Sequence, residues 1–276
     1  MAHADLPGGV SIFYEISGMG PPLVLAPGWT LNHHLWDLVL PEMERFCRVV
    51  RYDPRGSGLS AADPGLEYST PADAEDLEGL LDSLSLESAH LAGHSKGARA
   101  VLAFSMLHPE RVLSVTAVGS GEPHPHAAAG GEAREAVHCW ARSLHETAQR
   151  EGVAASLEAM REGGPLGPVR LDAERFRTFR RATRGYTGAD LASIAPRRSL
   201  DTGALAGRLT MPVLYLCGEM DPSLEECRYA HGRVPGSVLE VIPGCGHFPP
   251  LERPGTTARA LLDFIDSAQV FPNGKG

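Results

Sequence analysis

Lysine is almost missing from this chain: Lys96 and Lys275 are the only two in 276 residues, and the formal net charge is −9. Positive charge therefore rests on arginine, a skew that a GC-rich coding sequence explains as readily as a function. The acidic balance gives no electrostatic reason to bind nucleic acid or an anionic membrane surface. Cysteine is sparse as well. Cys47, Cys139, Cys217, Cys227 and Cys245 are odd in number, widely spaced and without a CxxC pair. That excludes a disulfide framework and a zinc ribbon, and fits reduced, mostly buried thiols in a cytoplasmic protein. No apolar run approaches the roughly 18 residues that span a bilayer. The amino terminus lacks the basic and apolar regions of a secretory signal, so none is expected. The histidines show no HExxH or similar ligand spacing, and no metal or organic cofactor is expected.

What is present is an ordinary globular composition, 43% hydrophobic and 21% charged, which excludes disorder as the main state. With 31 glycines and 22 prolines, turns are many and elements short. The length suits one large α/β domain or two small ones. Short β-rich runs recur at Val10–Ile16, Pro22–Leu25, Arg48–Tyr52, Ser88–Ala92, Leu113–Val118, Pro212–Cys217 and Val238–Ile242. Each is followed by Gly, Pro or Asp and then by a helical pattern. This alternation predicts an α/β fold, a mostly parallel sheet covered by helices on both faces. Pro7-Gly8-Gly9 predicts an amino-terminal hairpin and hence an antiparallel edge.

The helix after Thr70 is marked by Thr70 as cap, Pro71 at the first helical position and the acids Asp73, Glu75 and Asp76 near its positive end. Leu77, Leu80, Leu81 and Leu84 form its apolar face. Between about Glu122 and Leu209 the strand signals vanish, and helical segments broken by Gly163-Gly164-Pro165 and Pro196 take over. Residues 122–209 are read as a helical cap inserted into a core built from 1–121 and 210–276. His124-Pro125-His126 is read as a polar linker into that cap rather than a metal contact, and the end of the chain, from Gln269, as frayed.

The segment from Ser88 to Ala103 passes from a strand through Gly93-His94-Ser95-Lys96-Gly97 into a helix. A G-x-S-x-G turn in that context lifts the serine oxygen above the strand ends, and small flanking residues let neighbouring backbone close in. The alternative is a serine in an ordinary tight turn. Ser95 needs a base, and His247, in a glycine-rich loop after Val238–Ile242, is the best placed. His94, His33, His34 and His231 compete, with His94 read as packing. The base needs an orienting acid. Asp221, just past Pro212–Cys217, completes the chain order Ser, Asp, His; Glu219 and Glu122 are rivals, and Asp221 also fits a helix N-cap.

Four blocks in this order carry a resemblance: Pro27-Gly28-Trp29, Asp53–Ser60, Gly93–Gly97, and Gly218–Asp221 with Gly246-His247. The chain resembles the α/β-hydrolase superfamily over essentially its whole length, and most of all small capped bacterial esterases, lactonases and enol-lactonases. The resemblance implies a Ser95–His247–Asp221 triad, with the backbone N–H groups of Trp29 and Lys96 as the oxyanion hole. Pro27 stands where relatives often carry histidine. The Asp53–Ser60 block resembles a structural loop, so Arg55 is assigned no chemistry. The implied activity is hydrolysis of a small-molecule ester or lactone through an acyl-enzyme. Alternatives that keep the triad are carbon–carbon bond hydrolysis, thioester cleavage, cofactor-free perhydrolysis, and a ligand-binding receptor with negligible turnover. Trp29, His33, Trp140, Phe176, Phe179, Tyr186 and Phe248 are expected to line the substrate pocket, with Met160 and Trp36 nearby. Arg175, Arg177, Arg180, Arg181 and Arg184 are read as a solvated helix face, the alternative being an anchor for a substrate carboxylate.

Overall fold

A computed structural model describes residues 2–121, 132–162, 164 and 171–270. Eight strands form one sheet: β1 (Ala2–Leu6), β2 (Val10–Ser17), β3 (Pro22–Ala26), β4 (Arg48–Tyr52), β5 (Ala89–His94), β6 (Val112–Val118), β7 (Val213–Gly218) and β8 (Val238–Ile242). Their order is β1-β2-β4-β3-β5-β6-β7-β8. β2 alone runs against the other strands, pairing antiparallel with β1 on one side and β4 on the other, and every pairing from β4 to β8 is parallel. The strand before Ser95 runs two residues further than its sequence pattern predicts. Gly93 and His94 stay in the sheet because Ala117 and Val118 of β6 lie beside them in register.

The helices are α1 (Leu40–Met43), α2 (Thr70–Ser83), α3 (Lys96–Leu107), α4 (Glu132–Glu151), α5 (Val153–Glu162), α6 (Ala173–Ala182), α7 (Ala189–Ala192), α8 (Thr202–Leu205), α9 (Leu224–Arg233), α10 (Pro249–Glu252) and α11 (Pro254–Val270). The cap of α2 is Ser69, one residue before the expected Thr70. Ser69 is extended, and its side chain accepts from the Ala72 N–H, whereas Thr70 is already helical. No helix among the described residues is long and apolar enough to cross a membrane.

Strand alternation splits the core into two layers. Val24, Leu91, Val115 and Tyr215 face α2, α3 and α9, where Leu77, Leu80, Leu81, Val101 and Phe104 are buried. Leu23, Leu25, Ala92, Leu214 and Leu216 face the other way, towards Met43 of α1 and Leu261 and Ile265 of α11. That second layer continues into Leu144 of α4, Leu157 and Met160 of α5, and Phe179 and Ala182 of α6. The helices between β6 and β7 thus bury their apolar faces against the same core as the sheet. Main-chain bonds tie them further: the Asn32 N–H donates to the Ala182 carbonyl at 2.7 Å, and Asn32 Nδ2 to those of Arg181 and Arg184 at 3.0 and 2.8 Å.

Two buried acids hold the loop after β4. Asp53 accepts from the main-chain N–H of His33 and Leu59 at 2.8 and 2.9 Å, and its Oδ1 lies 2.6 Å from His33 Nδ1. Asp76 of α2 takes Arg55 in a two-pronged pair, both contacts at 2.6 Å. Replacing Arg55 with methionine strands that carboxylate in the interior. The expected cost is about 3–5 kcal/mol, read as a lower urea midpoint; an unchanged midpoint would show that Asp76 does not depend on Arg55.

Two histidines of β5 are held neutral. Burial pushes the His90 imidazole down to about 4, and burial together with neighbouring His247 pushes His94 down to about 3. The unfolded chain protonates both near pH 6.5, so in the window below that value it binds more protons than the native state. Stability is then full above about pH 6.5 and falls towards pH 4, by about 1.4 kcal/mol per pH unit for each histidine. Urea midpoints at about pH 7.5 and pH 5 should separate clearly in the parent and roughly half as far in His90→Gln; an equal separation in both would remove His90 from the account.

Candidate active site

β5 delivers the chain to Ser95 and α3 takes it away at Lys96. Ser95 sits at φ 52°, ψ −113°, a left-handed conformation costing a side-chain-bearing residue roughly 1–3 kcal/mol. Neighbours hold it there: its N–H donates to the Val118 carbonyl at 2.8 Å, and its carbonyl accepts from Arg99 N–H at 3.2 Å. The flanking glycines are needed for space. A Cβ on Gly93 would collide with the Gly97 carbonyl, and one on Gly97 with the carbonyls of Ala26 and Pro27. Pro27 therefore keeps its loop against the elbow through its main chain. Ser95 is half-buried and opens into a cavity of about 570 Å³ that is also lined by Trp29, Lys96, Gly119 and His247.

His247 lies in the loop after β8, and Asp221 just past β7. His247 Nδ1 is 3.0 Å from both carboxylate oxygens of Asp221. Both side chains are almost fully buried. Burial opposes ionisation of Asp221. The His247 imidazole, the Ser223 N–H at 2.9 Å and the Cys217 thiol outweigh it, holding the carboxyl below the usual range. The Ser223 contact lies in the turn before α9, whose N-cap is Ser223, so Asp221 is not the helix cap its position also allowed. The backbone of Gly119, at φ +64°, passes directly over the pair: a Cβ there would lie 3.0 Å from Asp221 Oδ2 and 3.2 Å from His247 Nδ1. The rival Glu219 is exposed and accepts from Gly244 N–H at 2.8 Å instead; Glu122 and His124-Pro125-His126 lie outside the described residues.

Two further side chains fix the His247 loop. Buried Glu252 accepts from Gly246 N–H at 2.9 Å and Phe248 N–H at 3.0 Å, clamping the peptide groups on either side of His247. His94 Nε2 donates to the His247 carbonyl at 2.7 Å, and the two rings lie 4.9 Å apart. His94 is the packing residue its position beside the serine implied. Glu252 escaped sequence reasoning; the only local signal is Pro249-Pro250 opening the short helix α10 that turns the carboxylate back.

The expected pocket residues divide. Trp29 lines the Ser95 cavity, and its Nε1 donates to Asp190 Oδ2 at 2.8 Å. Trp140, Phe176, Phe179, Tyr186 and Phe248 are not on its wall. They pack the helices onto the sheet: Phe179 meets Phe248 edge-on at 5.2 Å, Phe176 sits 6.4 Å from Phe179, and Trp140 joins the same apolar layer. Tyr186 donates to Asp190 Oδ1 at 2.7 Å. Met160 and Trp36 are buried in that layer too. Large apolar side chains gain most where water is excluded, so they fill the seam rather than face solvent. His33 is bound to Asp53 and borders a separate cavity of about 180 Å³.

The rest of the Ser95 cavity wall is mixed, with apolar Val137, Ala141 and Leu191 beside polar Tyr68, Arg99, His145, Asp190, Arg197 and Arg198. Arg198 is bonded to Glu67 and Glu75, and Lys96 Nζ to Asp73 at 2.6 Å. None of Arg175, Arg177, Arg180, Arg181 and Arg184 borders this cavity, so that stretch is no anchor for a group bound at Ser95. Among the described residues no group of three or more His, Cys, Asp or Glu is placed to hold a metal ion.

Residues 21–254 match the family model of the alpha/beta hydrolase fold. The chain is 27% identical to the pimeloyl-[acyl-carrier protein] methyl ester esterase of Chromobacterium violaceum, over 94% of this chain and 99% of that protein. It is 28% identical to a fluoroacetate dehalogenase of a Burkholderia species, over 95% of this chain and 92% of that protein. A thermophilic esterase from Thermogutta terrifontis superposes with a TM-score of 0.77 at 25% identity, over 97% of this chain and 98% of that one. With its sheet order, its strained serine turn and a family match spanning most of its length, the chain belongs to the α/β-hydrolase fold family.

Proposed function

We propose that the protein is a serine hydrolase that cleaves a carboxylic ester or lactone through an acyl-enzyme on Ser95. One observation carries this reading: strained Ser95 opens into the same cavity as His247, whose far ring nitrogen is held by an ionised, buried Asp221. The carboxylate fixes the imidazole with its proton on Nδ1 and leaves Nε2 free to accept. His247 Nε2 takes the Ser95 proton as Oγ attacks the substrate carbonyl. It then returns the proton to the leaving oxygen, and water repeats the cycle on the acyl-enzyme. The backbone N–H groups of Trp29 and Lys96 stabilise the oxyanion. The Lys96 side chain is engaged with Asp73, so its part is played by the main chain.

Residues 122–209 act as a cap over the core formed by 1–121 and 210–276, with Trp29 and the mixed cavity wall selecting the substrate. A hydroxyl nucleophile supports acyl transfer rather than the carbon–halogen cleavage in the dehalogenase relative's name. Such relatives in this superfamily use a carboxylate at that place.

Ser95→Ala should lower kcat on a short-chain aryl ester by on the order of 10⁶, and a fluorophosphonate should label the parent at Ser95 only. Activity within about tenfold of the parent would end this mechanism. Glu252→Gln replaces one acceptor with an amide that faces a main-chain N–H, loosening the loop without touching the triad. We expect kcat to fall by about 10- to 100-fold with KM little changed and labelling of Ser95 slowed in step; normal labelling would show that the clamp does not position His247.

A further inference from the structure

A second cavity, of about 470 Å³, is lined by Arg161, Arg177, Arg180, Arg181 and Arg184, and it shares no residue with the wall around Ser95. Arg161 comes from α5. The other four come from α6 and the turn that ends it, at spacings that place them on one face. Two of the five are partly engaged: Arg161 donates to Thr183 Oγ1 at 2.6 Å and Glu158 at 3.0 Å, and Arg181 lies 3.2 Å from Asp37. The guanidinium groups of Arg177, Arg180 and Arg184 form no hydrogen bond or ion pair with any described residue. Several arginines elsewhere are matched by carboxylates: Arg51 takes Asp37 and Glu15, Arg55 takes Asp76, and Arg198 takes Glu67 and Glu75.

Helix electrostatics favour cations in the last turn of α6, but they explain neither Arg177, a turn earlier, nor Arg161 on another helix. Like charges one turn apart cost about 0.2–0.5 kcal/mol each. Among the described residues no carboxylate lines this surface, and Glu158 and Asp37 reach only Arg161 and Arg181. An incoming anion would relieve that repulsion.

We propose that this groove binds a small molecule carrying two adjacent phosphate groups, at a site distinct from Ser95. Planar guanidinium forks suit phosphate oxygens, two parallel bonds at a time. Three free forks and two half-engaged ones exceed what one phosphate can accept and match a pair. The volume lies within the roughly 300–1,000 Å³ of small-molecule sites and is too large for one phosphate alone. The site also has a route to the rest of the molecule. Asn32, three residues from Trp29, donates to the main-chain carbonyls of Arg181 and Arg184, so an occupant would sit on the turn that anchors the loop after β3.

Isothermal titration with inorganic pyrophosphate at low ionic strength tests this, with orthophosphate and citrate as comparison anions. We expect one saturable pyrophosphate site, weaker by at least about tenfold in R177Q/R180Q. Ser95→Ala, and Arg175→Gln outside the groove, should bind as the parent does. Arg177 and Arg180 are exposed and Arg175 pairs only with Asp172 three residues before it, and circular dichroism checks that each variant is folded. No saturable heat, equal affinity for citrate or orthophosphate, or unchanged affinity in the double variant would overturn the proposal.

Discussion

Main chain pressed against main chain at the carboxyl ends of the central strands is the constraint on which this site depends. Ser95 can hold a left-handed conformation only because β6 accepts its N–H and because nothing projects from Gly97 towards the loop after β3. The same absence of side-chain bulk at Gly119 lets the end of β6 close over Asp221 and His247. Five strands thus bring their ends within reach of one another. The strain at one residue is distributed over hydrogen bonds that the parallel register supplies.

Charge buried near those ends is always matched, though by different means. Asp221 faces His247, Asp76 faces Arg55, and Asp53 faces His33 with two main-chain N–H groups besides. Glu252 has no cation within its bonds at all; two peptide N–H groups stabilise it instead. An unmatched carboxylate in such surroundings would protonate or drag water in. The pairs therefore pin loops as firmly as apolar packing pins helices, and two of them, Asp221 and Glu252, converge on the single imidazole beside the serine.

The helices between β6 and β7 border two separate cavities. Their inner faces are apolar and complete one core layer, while α4 and the segment after α7 border the Ser95 cavity with apolar and polar groups together. The outer face of α6 carries the arginine groove. Asn32 links both sides, since it bonds to the end of α6 and lies in the loop that leads from Trp29.

Strand and helix positions, the serine turn, and the pairing of Asp221 with His247 were legible because each depends on a few neighbouring residues: period-two alternation, a cap, a G-x-S-x-G turn between strand and helix. Even there, the cap of α2 shifted to Ser69 and β5 ran on to His94, because a neighbouring strand and not local propensity decided its end. The wall of the cavity was not legible. Trp29 and Asp190 are 161 residues apart, and Arg198 and Glu75 are 123 apart. No local pattern announces that such residues will meet. Aromatic side chains expected to face a substrate were drawn into the seam by the hydrophobic effect, and arginines read as one solvated face gathered around a groove. The sequence by itself determined the elements, the serine turn and the Asp221–His247 pair near it; tertiary packing alone decided which side chains surround them, because burial is settled between elements rather than within them.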